Sequence, residues 1–138
     1  MKRWVLDASA VLRWIEDGPG ATRVEELIFQ AGSGGTQVSV SAVNWGEVYY
    51  VIAHKQGEDR AAFFSARFRD LPIEIVPADY SRAERAGIFR NKFSVAYADA
   101  FAASLAASER ATLMTSDYDF KRVADGVSVE FLPPARKH

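Results

Sequence analysis

The 138-residue chain predicts an α/β fold, with a mainly parallel sheet of four to five strands covered on both faces by helices. Three observations predict it. Short apolar runs of strand length alternate with stretches whose apolar residues recur at i, i+3, i+4 and i+7, the pattern of βαβ units. Gly and Pro clusters separate these stretches at the places where chain direction must change. The runs also read as buried strands, as parallel strands covered on both faces do.

Trp4 to Leu6 is the first short strand. A helix from about Ser9 to Glu16 follows and stops at Gly18-Pro19-Gly20. Val24, Leu27, Ile28 and Ala31 place a second helix, closed by Gly32-Ser33-Gly34-Gly35. Gln37 to Ser41 is the second strand. Trp45, Val48, Tyr49 and Ile52 repeat the helical spacing, and after Gly57 so do Phe64, Phe68 and Leu71 up to Pro72. Ile73 to Val76 is a third strand, closed by Pro77. Helices then run from about Ser81 to Asn91 and from Tyr97 to Arg110. The second of these is rich in alanine, whose small side chain lets a helix lie close on a sheet. Ala111 to Thr115 and Val127 to Phe131 complete the strands. Residues 1–132 read as one domain, and Pro133-Pro134 opens a short basic tail, 133–138, expected to be mobile.

Composition removes several classes of function. Lys+Arg is 17 against 18 Asp+Glu, for a net charge of −1, and neither half is a basic arm. A protein that held nucleic acid by charge alone would be more cationic. There is no cysteine and only two histidines, so disulfides, thiolate zinc sites and His-rich metal sites are excluded. No apolar stretch approaches the ~20 residues of a membrane span. The opening Lys2-Arg3-Trp4-Val5-Leu6 has the basic-then-apolar order of a signal peptide, but Asp7 and Arg13 interrupt it. It reads as a strand, and the expected location is the cytoplasm.

Four acids share one structural moment. Asp7 and Asp117 follow strand ends, and Glu47 and Asp99 fall in the opening turns of helices. In a parallel sheet the strand C-termini and the helix starts share one edge, where α/β proteins bind ligands. Four carboxylates there repel one another unless a hard, oxygen-seeking cation such as Mg²⁺ or Mn²⁺ joins them. That combination points to metal-assisted phosphodiester chemistry.

Each acid also has a purely structural account. Asp7 or Ser9 could cap the first helix. Asn44-Trp45-Gly46-Glu47 has the form of a capping box, with Asn44 as N-cap. Asp117 could form an Asx-turn or cap a new helix. Asp99 is hardest to dismiss, because it lies among alanines and Phe101, and burying an unpaired carboxylate costs more than a helix dipole returns. Asp119 is a secondary candidate ligand, with Thr115 supporting the site. Arg13, Arg90, Lys92, Lys121 and Arg122 are candidates for substrate phosphate, and Tyr118 for stacking an unpaired base. Phe63, Phe64 and Phe68, with Trp45, Tyr49 and Tyr50, exceed what one core face needs, which suggests either an interface or a generous core.

Val5-Leu6-Asp7-Ala8-Ser9-Ala10, Asn44-Trp45-Gly46-Glu47-Val48, Tyr97-Ala98-Asp99-Ala100 and Thr115-Ser116-Asp117-Tyr118-Asp119-Phe120 together resemble the PIN-domain ribonucleases, specifically the VapC-type toxins of toxin–antitoxin pairs. The ordered set spans essentially the whole chain. The resemblance implies a three-layer α/β/α sandwich and endonucleolytic RNA cleavage with Mg²⁺ or Mn²⁺, one or two ions. It matches Asp7, Glu47, Asp99 and Asp117 to the acidic metal positions, Asp119 to an additional acid, and Ser9 and Thr115 to hydroxyl residues beside them. It also implies a homodimer and a cognate VapB-like antitoxin lying over the active-site groove. The rivals are a DNA-directed metal nuclease, a non-catalytic binding module whose acids meet basic partner residues, and a signalling receiver domain. The receiver domain would need paired acids after the first strand, and Asp7 stands alone there.

Overall fold

The computed structural model describes residues 1–135. In chain order the elements are β1 (Lys2–Leu6), α1 (Ala8–Ile15), α2 (Ala21–Gly32), β2 (Thr36–Ser41), α3 (Ala42–Gln56), α4 (Glu58–Phe68) and β3 (Glu74–Val76). Then come α5 (Tyr80–Phe93), α6 (Tyr97–Glu109), β4 (Thr112–Thr115), a 3₁₀ helix (Tyr118–Val123) and β5 (Ser128–Phe131). The sheet has five strands in the order β3-β2-β1-β4-β5, and every pairing is parallel. The sheet forms as expected; the 3₁₀ helix is an addition.

Strand order places the site. The chain winds outward from β1 to β2 and β3, then returns past β1 to β4 and β5. A right-handed crossover changes sheet face when the winding direction reverses, so the helices divide into two layers. Trp4 and Leu6 of β1 point into the core under α1 to α4, with Val11, Val24, Leu27, Val48 and Phe68. Val5 points the other way, into a second core with Ala86, Phe101, Ala103 and Phe120 from α5, α6 and the 3₁₀ helix. This is the three-layer α/β/α sandwich. Winding reverses between β1 and β4, which opens a crevice at their C-terminal ends.

Two joints fix helix positions tightly. β2 runs into α3 with no intervening residue, and Ser41 caps α3 by accepting from the Val43 N–H at 3.3 Å. Asn44 therefore lies inside α3 and is not its N-cap, so the capping-box account of Glu47 is corrected. A strand ending in a hydroxyl residue supplies its own cap, and the helix starts three residues early. Gly57 ends α3 and starts α4 with φ 93° and ψ 159°, a conformation essentially confined to glycine.

The start of the expected tail is held in place. Arg13 Nη1 donates to the carbonyls of Pro19 and Pro133, both at 2.7 Å. Residues 136–138 of that tail lie outside the described residues. Arg13 is thus engaged by the chain itself, which removes it from the candidate phosphate contacts. We predict that Arg13→Ala costs about 1–3 kcal/mol, for two charge-assisted hydrogen bonds that are partly solvated. Thermal denaturation checks this, and an unchanged midpoint would mean that the two carbonyl contacts do not hold Arg13.

Candidate active site

Asp7 leaves the end of the central strand and is 3 % exposed. It has two functions at once. Its Oδ1 caps α1 by accepting from the Ala10 N–H at 2.9 Å. Its Oδ2 accepts from Thr115 Oγ1 at 2.6 Å, and Ser9 Oγ donates at 2.8–2.9 Å across both oxygens. Ser9 is inside α1, so it is not the cap. Instead Ser9 Oγ accepts from the Ser116 N–H at 2.9 Å, and Thr115 Oγ1 accepts from the Asp117 N–H at 3.0 Å. The two hydroxyls tie the β1 acid to the turn after β4, which carries the next acid.

Glu47 and Asp99 come from helices on opposite layers, and Asn44 joins them. Its side chain is buried, and its Nδ2 donates to Glu47 Oε1 at 2.9 Å and to the Ala98 carbonyl at 3.1 Å. One amide therefore orients the Glu47 carboxylate and holds the first turn of α6, where Asp99 projects. Asn44 Oδ1 is buried and has no hydrogen-bond partner among the described residues. In the sequence Asn44 was legible only as a cap, because its partner Ala98 is 54 positions away. We predict that Asn44→Ala costs about 1–3 kcal/mol, the loss of two part-buried hydrogen bonds, to Glu47 Oε1 and to the Ala98 carbonyl. The readout is the urea midpoint, and an unchanged midpoint would mean that α3 and α6 are held elsewhere.

Asp117 caps the 3₁₀ helix by accepting from the Asp119 N–H at 2.9 Å, so the Asx-turn is real. It remains half-buried at the crevice, whereas Asp119 is exposed.

Electrostatics record that these acids meet. Burial raises the Asp7 carboxyl to about 7 despite its three hydrogen-bond donors, and the Asp99 charge adds to the rise. Asp99 is raised to about 6, first by burial and then by the charges of Asp117, Glu47 and Asp119. Each of the other four acids is thus electrostatically coupled to Asp99. Among the described residues, no three acidic or histidine side chains close into a ready-made metal cage. Mg²⁺ does not need one. It takes one or two carboxylates and completes its shell with water and phosphate oxygens.

The remaining cationic candidates divide. Arg90 Nη1 donates to the Val95 carbonyl at 2.7 Å and Arg122 Nη1 to the Ser94 carbonyl at 2.9 Å, so both brace the α5–α6 turn. Lys92 and Lys121 are exposed, their ammonium groups lying against the rings of Phe93 and Tyr118. Of the aromatic excess, Trp45 and Phe68 stack in the core at 4.3 Å, while Tyr50 and Phe63 stay exposed. Trp14, Ile15, Phe64, Phe68 and Leu71 line a cleft of about 480 Å³ between the last turns of α1 and α4, with Arg67 and Asp70 also on its wall. Among the described residues, no helix is long and apolar enough to cross a membrane.

Solved structures share this arrangement. A VapBC2 complex from Rickettsia felis, bound to a promoter DNA fragment, superposes with a TM-score of 0.74 at 19 % identity, over 93 % of this chain and 97 % of that one. VapC20 of Mycobacterium tuberculosis, a Sarcin-Ricin loop cleaving toxin, gives 0.71 at 18 % identity, over 94 % and 99 %. FitAcB of Neisseria gonorrhoeae gives 0.68 at 19 % identity, over 91 % and 95 %. At such identities the likeness is one of fold. A search of curated protein sequences finds no match. The PIN domain family model matches residues 4–126, from the first core residue of β1 to the turn before β5, and with all five acids inside that span the chain belongs to the PIN-domain family.

Proposed function

We propose that this protein is a Mg²⁺- or Mn²⁺-dependent endoribonuclease, the toxin of a type II toxin–antitoxin pair, of the VapC type. What supports the reading is that Asp7 and Asp117 follow the ends of β1 and β4, where the crevice opens, and that Asn44 joins the helices of Glu47 and Asp99, with Asp99 raised by the charges of Asp117, Glu47 and Asp119. The donor chemistry fits a hard divalent ion, because every candidate ligand is an oxygen and the carboxylates repel one another without a cation. Asp7, Glu47, Asp99 and Asp117 are the candidate ligands of one or two such ions, each ion taking one or two carboxylates and water, with Asp119 at the exposed margin. When bound, such an ion stabilises charge on a phosphodiester and makes water a stronger acid.

The chain's own residues supply position and proton handling. Thr115 and Ser9 fix the Asp7 carboxylate, and Asn44 fixes Glu47. Asp99 is partly exposed, and in the metal-free protein burial and the charges of Asp117, Glu47 and Asp119 raise its carboxyl to about 6; Asp99 or Asp117 would orient the attacking water or accept its proton. Lys92 and Lys121 are the open candidates for backbone phosphate, since such contacts position a nucleic acid.

Partners belong to the same proposal. Structural neighbours include toxin–antitoxin complexes such as the one from Rickettsia felis. Here the α1–α4 cleft is apolar with one charge of each sign on its wall, which suits an amphipathic segment of a VapB-like antitoxin. α1 spans eight residues between Asp7 and the cleft, about 12 Å of helix, so an extended continuation of that segment would reach the acids. The exposed Tyr50 and Phe63 are candidates for a homodimer contact.

The test is cleavage of total cellular RNA, with DNA as a parallel substrate, in Mg²⁺ or Mn²⁺ and in EDTA. Metal-dependent RNA cutting is expected. Cutting of DNA alone would redirect the assignment to a DNA nuclease. Absence of cutting together with absence of any metal-induced stabilisation would indicate a binding module.

A further inference from the structure

We propose that Tyr118, stacked on Phe131 and flanked by Lys121, is a platform on which one unpaired base of a single-stranded RNA stacks beside the carboxylate crevice. The proposal rests on the nuclease reading above and adds a base subsite to it. Tyr118 lies between Asp117 and Asp119 in the chain, and its ring packs on the last residue of β5, which pairs with Thr115 at the end of β4. Its ring stacks on Phe131 with centroids 5.1 Å apart and planes 26° from parallel. Its Oη donates to the Leu132 carbonyl at 2.9 Å. Both contacts fix the ring before any ligand arrives, which lowers the ordering cost of binding.

Core packing does not account for this residue. Phe120 and Val123 of the same 3₁₀ helix are fully buried and fill the core beneath it. Tyr118 is 39 % exposed even though its hydroxyl is satisfied and its ring has a stacking partner. Lys121 Nζ lies over the ring, 5.5 Å from its centroid, on an exposed side chain, so a base that stacks there displaces the ammonium toward the nucleotide's phosphate. Of the other exposed aromatics, Phe29, Tyr50, Phe63 and Tyr80 sit on α2, α3, α4 and α5, and Tyr97, two residues before Asp99, is turned toward α5 by its hydroxyl bond to the Ala83 carbonyl. An aromatic face of this kind takes any base and needs it unpaired, because only a splayed base offers its face.

The experiment uses the full chain carrying Asp99→Asn, so that RNA is bound and not cut, in Mg²⁺. The probe is a single-stranded RNA decamer containing 2-aminopurine, with the same sequence as a duplex for control. Stacking predicts quenching of the single-strand probe and none of the duplex. Tyr118→Leu should weaken binding about 5- to 20-fold, the lower part of the range for loss of one base–aromatic stack, and abolish the quench. Tyr118→Phe, which keeps the ring and loses the Leu132 bond, should retain both. Equal weakening by Phe and Leu would overturn the proposal and make the hydroxyl contact the function of Tyr118. Unchanged binding and quench in Tyr118→Leu would overturn the platform alone. A parent that binds no RNA would overturn the platform as well, and cleavage of total RNA by the unsubstituted chain then tells whether the nuclease reading falls with it.

Discussion

Asp99→Asn is expected to lower metal-dependent RNA cleavage by about 10²–10⁴-fold, the range for losing a positioned proton acceptor, while the metal-free protein becomes no less stable. The two halves of that expectation have one cause. Asp99 titrates near 6 because burial and the charges of Asp117, Glu47 and Asp119 all oppose its ionisation. At neutral pH the metal-free fold therefore carries a carboxylate that it disfavours. Asparagine keeps the shape and removes the charge, which relieves the repulsion and also removes the proton acceptor. Asp7→Asn is a poorer test of the same idea. Asp7 accepts hydrogen bonds on both oxygens, from Ala10, Ser9 and Thr115. An amide NH₂ in place of one oxygen would face a donor, so loss of activity there would mix chemistry with damage to the β1–β4 link. Cleavage rates measured beside thermal melts in EDTA separate the cases. A folded Asp99→Asn protein that cuts RNA at the parental rate would end the proposed mechanism.

Most of the fold was readable because its signals are local. The strand segments end at or within two residues of the expected positions, and the helices follow their apolar spacing. The acids were readable for a topological reason: a strand end or a helix start in a parallel sheet can only be at one edge. Pairings between residues distant in sequence were not readable. Nothing near Arg13 announces that it will grip Pro133, 120 positions away. Nothing near Asn44 announces Ala98. The Asn-x-x-Glu spacing is that of a capping box, and only the early start of α3 at Ser41 converts Asn44 from a cap into the residue that aims Glu47. The 3₁₀ helix after Asp117 was legible only as one of two accounts of that acid, because six residues are too few to show a period. Functional and structural accounts of Asp7 and Asp117 are not alternatives. Both acids cap a helix with one oxygen and leave their charge at the crevice.

Divalent metal and pH are expected to act on stability through the same two carboxyls, in opposite senses on either side of pH 6. Asp7 has a folded value of about 7 against 3.8 in the reference state, and Asp99 about 6 against 3.8. Between 3.8 and those values the unfolded chain has lost protons that the folded chain keeps. The slope of unfolding free energy with pH is then negative. Stability from these groups is highest below pH 4, falls as pH rises through 6 and 7, and is flat above. With the buried Asp7 dominant and its value of about 7 good only to about a unit, the loss is about 3–6 kcal/mol. A cation held by the ionised carboxylates reverses the sign. At pH 8 the carboxylates are ready to bind it, and a concentration 100 times Kd adds about 2.7 kcal/mol, a rise in Tm of roughly 7–14 °C for a chain of this size. At pH 5, protons occupy Asp7 and Asp99 and the same metal should add little. Melts at pH 5 and pH 8, each in EDTA and in Mn²⁺, give the four values needed. A metal effect of equal size at both pH values would place the binding site away from Asp7 and Asp99. A metal-free Tm that rises from pH 5 to pH 8 would mean that other groups dominate the titration, and Asp99→Asn melts at both pH values would then show how much of it belongs to the crevice.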